Sequence, residues 1–335
     1  MATASKLTEF SKSFWYRDGS LREGMSRGIV PRKARSERAR AGLTLSPQMR
    51  YSAPGMIHHL TLGNEVRVSR MGFGAMRITG DGVWGPPKDK AKAIQLLRRV
   101  VDLGINFIDT ADAYGPFVSE ELLAEALHPY PADLVIATKG GLTRSGPGEW
   151  TSNGDPAHLK KAVEGSLKRL KLERIDLYQL HVVADGTPLE ESMGALVRLQ
   201  EEGKIRHIGV SNQSVEELKR SQAIASVVSV QNRYNLSDRK HEAVVDYCTE
   251  NGLAFLPWYP LANRELTERT EFQDVAKRHD ATASQVCLAW LLARSPMMLP
   301  IPGTSSISHL EENAAALQIE LSADDCEALE EAVAR

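Results

Sequence analysis

The chain has 335 residues, 42% hydrophobic and 25% charged, with a formal net charge of −2. This is globular composition, and its balance excludes a global basic field for nucleic acid or an anionic membrane surface. No apolar run reaches the roughly 18 residues that span a bilayer. The three cysteines, Cys248, Cys287 and Cys326, are too scattered for a disulfide framework, and no metal-ligand spacing is present. A cytoplasmic protein with reduced thiols and no metal is expected.

Charge is unevenly spread. Residues 1–50 hold eleven lysines and arginines against four acidic residues, including the run Arg32, Lys33, Arg35, Arg38 and Arg40. This Ser-rich segment lacks sustained periodicity and the apolar core of a secretory signal. Residues 1–55 read as a disordered tail or upstream extension, with organelle targeting as the alternative, and residues 56–335 as one domain. Met56 is a natural start.

From residue 58, His58–Thr61 and Glu65–Val68 flank the turn pair Gly63-Asn64 and read as a hairpin. Eight strand candidates follow: Met71–Gly74, Asn106–Ile108, Leu134–Thr138, Ile175–Leu180, Ile205–Val210, Val227–Gln231, Ala254–Trp258 and Met298–Ile301. Helical stripes separate them. Asp155-Pro156 supplies an N-cap with proline at N1, Thr187-Pro188 with Glu190 suggests a capping box, and Ser214 with Glu217 another. Gly104, Gly203 and Gly252 stand just past helix ends, and Ser322–Ala334 reads as a closing amphipathic helix. Eightfold strand–helix alternation predicts an α/β fold: a (β/α)8 TIM barrel with an N-terminal β-hairpin and an extra C-terminal helix. A doubly wound sheet is the competing architecture, but Gly72-Phe73-Gly74 lacks the third glycine of a phosphate-binding fingerprint.

A TIM barrel keeps its active site at the strands' C-terminal ends. Strand two ends in Asp109, with Tyr114 in the following loop; strand three ends in Lys139 and strand four in His181. A phenol is a poor acid at neutral pH. A neighbouring ammonium stabilises the phenolate and should lower its pKa, while a carboxylate keeps that ammonium charged. An imidazole can hold the oxygen that the phenol protonates. A buried Asp–Lys pair alone is more often structural; the tyrosine and histidine at matching strand ends favour chemistry. Trp84 and Trp150 occupy loops on the same side and are candidate substrate-pocket residues. Arg144 lies there too.

The run Gly104 to Gly115 containing Asp109-Thr110-Ala111-Asp112-Ala113-Tyr114, continuing to Ser119-Glu120, resembles the signature of aldo-keto reductases. Ile136–Lys139, Asp176–His181, Gly203–Asn212, Val230–Asn232 and Ile301–Asn313 agree in order and spacing, so the resemblance covers about residues 60–330. It implies a tetrad of Asp109, Tyr114, Lys139 and His181, with hydride supplied by a nicotinamide cofactor. It also implies that Ser211, Asn212 and Gln231 hold the carboxamide and Trp258 stacks on the nicotinamide. Gly303, Thr304, Ser305, His309, Glu312 and Asn313 would hold the adenosine end, consistent with anion binding at a helix start. Gly303 and His309 occupy positions where many relatives carry a cation for the 2′-phosphate; NADPH is expected, with NADH the alternative. Gly72–Gly80 and Gly82–Pro87 resemble a bacterial-type branch containing pyridoxal reductases. The implied activity is reduction of a small aldehyde or ketone, pyridoxal among them; a nicotinamide redox sensor is the competing function. Nothing selects between monomer and homo-oligomer.

Overall fold

Runs of Val, Ile and Leu without polar alternation suit strands buried on both faces, and the chain uses them that way. The computed structural model describes residues 58–261 and 267–334; the segment 1–55 and the expected boundary at Met56 lie outside them. Strands β1 (His59–Leu62) and β2 (Val66–Ser69) form an antiparallel hairpin. Seven parallel strands follow in one sheet: β3 (Phe73–Gly74), β4 (Phe107–Asp109), β5 (Val135–Gly140), β8 (Ile175–Leu180), β9 (Ile205–Ser211), β10 (Val227–Gln231) and β11 (Ala254–Phe255).

The eighth predicted strand forms no regular ladder, yet it closes the barrel. Phe255 N donates to Met297 O and Leu299 N to Phe255 O, each at 2.9 Å, on the β11 edge. On the β3 edge, Gly72 N donates to Pro300 O at 2.9 Å and Gly74 N to Pro302 O at 3.4 Å. Pro300 and Pro302 have no N–H to return, so the seam is one-sided. Backbones crowd there: a Cβ on Gly74 would sit 2.6 Å from Ile301 O, and one on Gly303 2.7 Å from Gly74 O. Glycine at 303 is therefore a packing requirement of the seam.

The hairpin plugs the barrel's N-terminal end, where Leu60, Leu62, Val66 and Val68 pack with Phe107, Val135, Leu177, Ala254 and Leu299. Each buried Val, Leu or Phe there contributes about 1.5–3 kcal/mol. Outside the sheet lie α1 (Lys90–Asp102), α2 (Val118–Leu127), α3 (Pro156–Leu170), α4 (Leu189–Glu201), α5 (Val215–Gln222), α6 (Glu242–Asn251), α7 (Thr270–Arg278), α8 (Ala283–Arg294) and α9 (Ile307–Ala315), with α10 (Ala323–Ala334) last. Asp155 caps α3, and Ser214 with Glu217 forms the expected box at α5. Gly104, Gly203 and Gly252 adopt the left-handed φ expected after helix ends.

Two expectations fail locally. Thr187 forms no capping box: Pro188, with ψ 135°, is itself the N-cap of α4, and Glu190 pairs with Arg220 instead. Between β5 and α3, the sequence read as loop folds into a second hairpin, β6 (Leu142–Gly146) and β7 (Glu149–Ser152), turning at Pro147-Gly148. Trp150 therefore stands on a strand. No helix among the described residues is long and apolar enough to cross a membrane, and among them no three potential ligands gather for a metal ion.

Candidate active site

Parallel register brings Asp109, Lys139 and His181 to one end of the barrel. Asp109 lies at the end of β4, which pairs with β5; Lys139 is on β5, which pairs with β8, and His181 follows β8 directly. Lys139 is fully buried. Its ammonium reaches Asp109 Oδ2 at 2.7 Å, Thr110 O at 2.8 Å and Tyr114 Oη at 3.3 Å. An ammonium has three hydrogens and accepts nothing, so the phenol oxygen is an acceptor here and its own hydrogen stays available. The other carboxylate oxygen, Asp109 Oδ1, accepts from Gln179 Nε2 at 3.0 Å and Gln231 Nε2 at 2.8 Å.

Burial favours neutral forms, and neighbouring charges decide which groups escape it. Burial alone would lower the Lys139 pKa, but Asp109 and Tyr114 outweigh it and leave it raised. The imidazole of His181 is held well below its usual range, first by burial and then by the Lys139 charge. It is neutral at physiological pH, and its Nδ1 is buried without a protein partner. Tyr114 departs from expectation: Lys139 lowers its pKa as anticipated, but burial is larger and the net shift is upward. The phenol is held protonated.

Tyr114 meets His181 edge-to-face at 6.0 Å between ring centroids, and Trp150 at 6.5 Å. Trp84 bridges to Gly115, so both predicted pocket tryptophans flank the tyrosine loop. Beneath that loop, Glu120 accepts from Thr138 Oγ1 at 2.6 Å and pairs with Arg169 at 2.7 Å, pinning α2 to β5. Burial and Glu120 hold the neighbouring Asp112 carboxyl well above the usual range.

Beside the phenol lies a polar ledge. Asn212, with a left-handed φ of 58°, donates to His181 O at 3.1 Å and Ser211 Oγ at 2.9 Å, and accepts from Trp258 Nε1 at 3.0 Å. Such a conformation in a non-glycine residue is a mark of functional sites. Ser211 Oγ donates to Gln231 O at 2.8 Å. The Gln231 amide hydrogens point to Asp109 and Gln179, leaving its carbonyl oxygen as what it can offer a carboxamide. Trp258 follows the short β11 and meets Arg233 in an isolated bridge.

Across the seam, Gly303, Thr304 and Ser305 lead to Ser306, the N-cap of α9. Helix amides there are suited to phosphate. His309 is exposed on the first turn, Asn313 is buried, and Glu312 accepts from Thr282 Oγ1 at 2.5 Å. Gln179 and Arg144 take their places mainly through partners on other elements, which the sequence does not display.

A closed parallel barrel with these groups at its C-terminal mouth defines a barrel enzyme. The chain belongs to the aldo/keto reductase family, whose model matches residues 70–334. It is 51% identical to an uncharacterized oxidoreductase of Schizosaccharomyces pombe over 258 residues, covering 77% of this chain and 84% of that protein. It is 42% identical to pyridoxine 4-dehydrogenase of Escherichia coli over 269 residues, covering 78% and 93%. Among solved structures, an aldo-keto reductase of Klebsiella pneumoniae in complex with NADPH superposes with a TM-score of 0.70 at 28% identity, covering 82% of this chain and 94% of that one.

Proposed function

We propose that the chain reduces an aldehyde carbonyl with NADPH, pyridoxal being the foremost candidate, and that Tyr114 is the proton donor. One observation carries the reading: Lys139 spends its three hydrogens on Asp109, Thr110 and Tyr114 Oη, so the phenol hydrogen is free to face a carbonyl. Bound NADPH supplies hydride to the carbonyl carbon. Negative charge then grows on the oxygen, and Tyr114 and the neutral imidazole of His181 hydrogen-bond it where it grows. Tyr114 transfers its proton, and Lys139, kept charged by Asp109, stabilises the phenolate left behind.

The Ser211, Asn212 and Trp258 ledge fits a nicotinamide carboxamide and ring, and the Gly303–Ser306 turn before α9 fits phosphate. NADPH is favoured over NADH by the Klebsiella relative, and pyridoxal by the Escherichia coli one.

The test is oxidation of NADPH and NADH with a panel of aldehydes including pyridoxal, beside Tyr114→Phe. Turnover with pyridoxal and NADPH is expected; the variant should lose about 10²–10⁴-fold or more while binding NADPH normally. Unchanged turnover in Tyr114→Phe rejects the acid assignment. Tight NADPH binding without turnover of any carbonyl would favour the redox-sensing role.

A further inference from the structure

Arg144, on β6, has five N–H donors, and all five reach backbone carbonyls. Nε donates to Glu149 O at 2.8 Å; Nη1 to Val83 O at 2.9 Å and Ala113 O at 3.0 Å; Nη2 to Gly82 O at 3.0 Å and Gly146 O at 3.3 Å. These acceptors lie on three segments that meet only at the barrel mouth: the loop after β3, the loop after β4 and the β6–β7 hairpin. Ala113 is the residue before Tyr114.

The segment after β3 needs holding. Val83 is β-branched yet has φ 55°, between Gly82 at 72° and Gly85 at 69°. Such a conformation persists only where the surroundings over-determine it. Val83 O accepts from Arg144 and also from Gly115 N at 3.3 Å, while Gly85 N donates to Gly115 O at 2.6 Å. The guanidinium lies 3.6 Å from the Trp150 ring centroid and 5.7 Å from that of Trp84. Trp150 in turn packs with Val83, Ala111 and Tyr114.

We propose that Arg144 is a positioning residue that clamps the Tyr114 loop and sets two tryptophans beside it, making the mouth selective for planar, aromatic carbonyl substrates. Only a guanidinium offers five coplanar donors and a stacking face; lysine offers neither. With its donors spent, Arg144 has none left for an anion, so it selects by shape and not by charge. The selectivity rests on the proposed reductase reading; the clamp does not.

The experiment uses the NADPH-bound enzyme with benzaldehyde and cyclohexanecarbaldehyde, which differ in planarity, comparing wild type with Arg144→Lys, Arg144→Met and Trp150→Leu. Amide exchange at Gly85 and Gly115 is followed in parallel. Wild type should prefer benzaldehyde in kcat/KM. Both Arg144 variants should exchange those two amides faster, lose the preference and fall about 10²-fold on benzaldehyde, with NADPH affinity unchanged. Lysine failing to rescue separates geometry from charge. Trp150→Leu, which keeps the clamp's backbone bonds, should lose the preference without faster exchange. Unchanged exchange in Arg144→Lys overturns the clamp. If neither Arg144 variant folds, an unaltered preference in Trp150→Leu overturns the proposal. A wild type that turns over neither these aldehydes nor pyridoxal, while the Arg144 variants exchange faster, sinks the reductase reading and the selectivity while the clamp stands.

Discussion

Two regions of this barrel join a tyrosine, a carboxylate and cations, and they do opposite things with the phenol. Behind the ledge, in the loop after β10, Tyr234 donates to Glu242 Oε2 at 2.6 Å, and Glu242 is gripped by Arg239 at 2.8 Å and Arg294 at 2.6 Å. Trp290 stacks on the ring at 5.9 Å. That phenol hydrogen is committed, and arginine holds its proton at any ordinary pH. At the mouth the order is reversed: the ammonium stands between Tyr114 and Asp109, so the phenol accepts and its hydrogen is uncommitted. Residue types do not distinguish a structural knot from an acid; the sequence of donors does.

The widest separation between the two regions should come from removing a cation. Lys139→Met leaves the Asp109 carboxylate buried with only two amide donors. A loss of about 3–5 kcal/mol in urea unfolding is expected, with turnover abolished. Arg294→Met leaves Glu242 bonded to Arg239 and Tyr234; about 1–3 kcal/mol should be lost and turnover kept. Equal losses from the two variants would mean that the donor order carries no weight.

A smaller contrast comes from the phenols. Tyr234→Phe removes a hydrogen bond to a charged acceptor and should cost about 1.5–3 kcal/mol with normal kcat. Tyr114→Phe strips one hydrogen of the buried Lys139 ammonium of its acceptor and should cost about 1–3 kcal/mol, while turnover collapses. If Tyr234→Phe lowers kcat without lowering stability, the Tyr234–Glu242 knot is coupled to the site.

How far the fold could be read from the residues depended on burial. Strands such as Ile175–Leu180 announce themselves because their apolar runs are continuous, and Asp109, Lys139 and His181 stand out as polar residues ending such runs. The eighth strand is blurred by Pro300 and Pro302, which break its hydrogen-bond pattern without breaking its path. The β6–β7 hairpin is polar and Gly/Pro-rich, so no alternation betrays it. Arg144 was visible but mute, since its partners are carbonyls, which every sequence has everywhere. Gln179 and Gln231 reach Asp109 only through strand register.

Acid should open the two regions in turn. His181 is buried neutral with a pKa well below the ordinary 6.5. Below 6.5 the unfolded chain therefore binds a proton that the folded site refuses, and stability falls as pH drops towards the folded value. Glu242 would be raised by burial, but its hydrogen bonds from Arg239 and Tyr234 and the Arg294 charge bring it to about 2, against an ordinary 4.5. Its contribution is complete above 4.5 and is lost as pH falls through 2. Both slopes have the same sign, but the His181 one begins below 6.5 and the Glu242 one only below 4.5. Urea midpoints measured from pH 8 to pH 3 should thus fall first through His181, and His181→Gln should flatten the slope between 6.5 and 4.5, above the Glu242 window. Glu242→Gln should leave that part unchanged and flatten only the slope below 4.5. An unchanged slope just below 6.5 in His181→Gln would mean that the imidazole already carries a proton in the folded site, and the neutral hydrogen-bonding partner assigned to the carbonyl oxygen would have to be replaced by a cation.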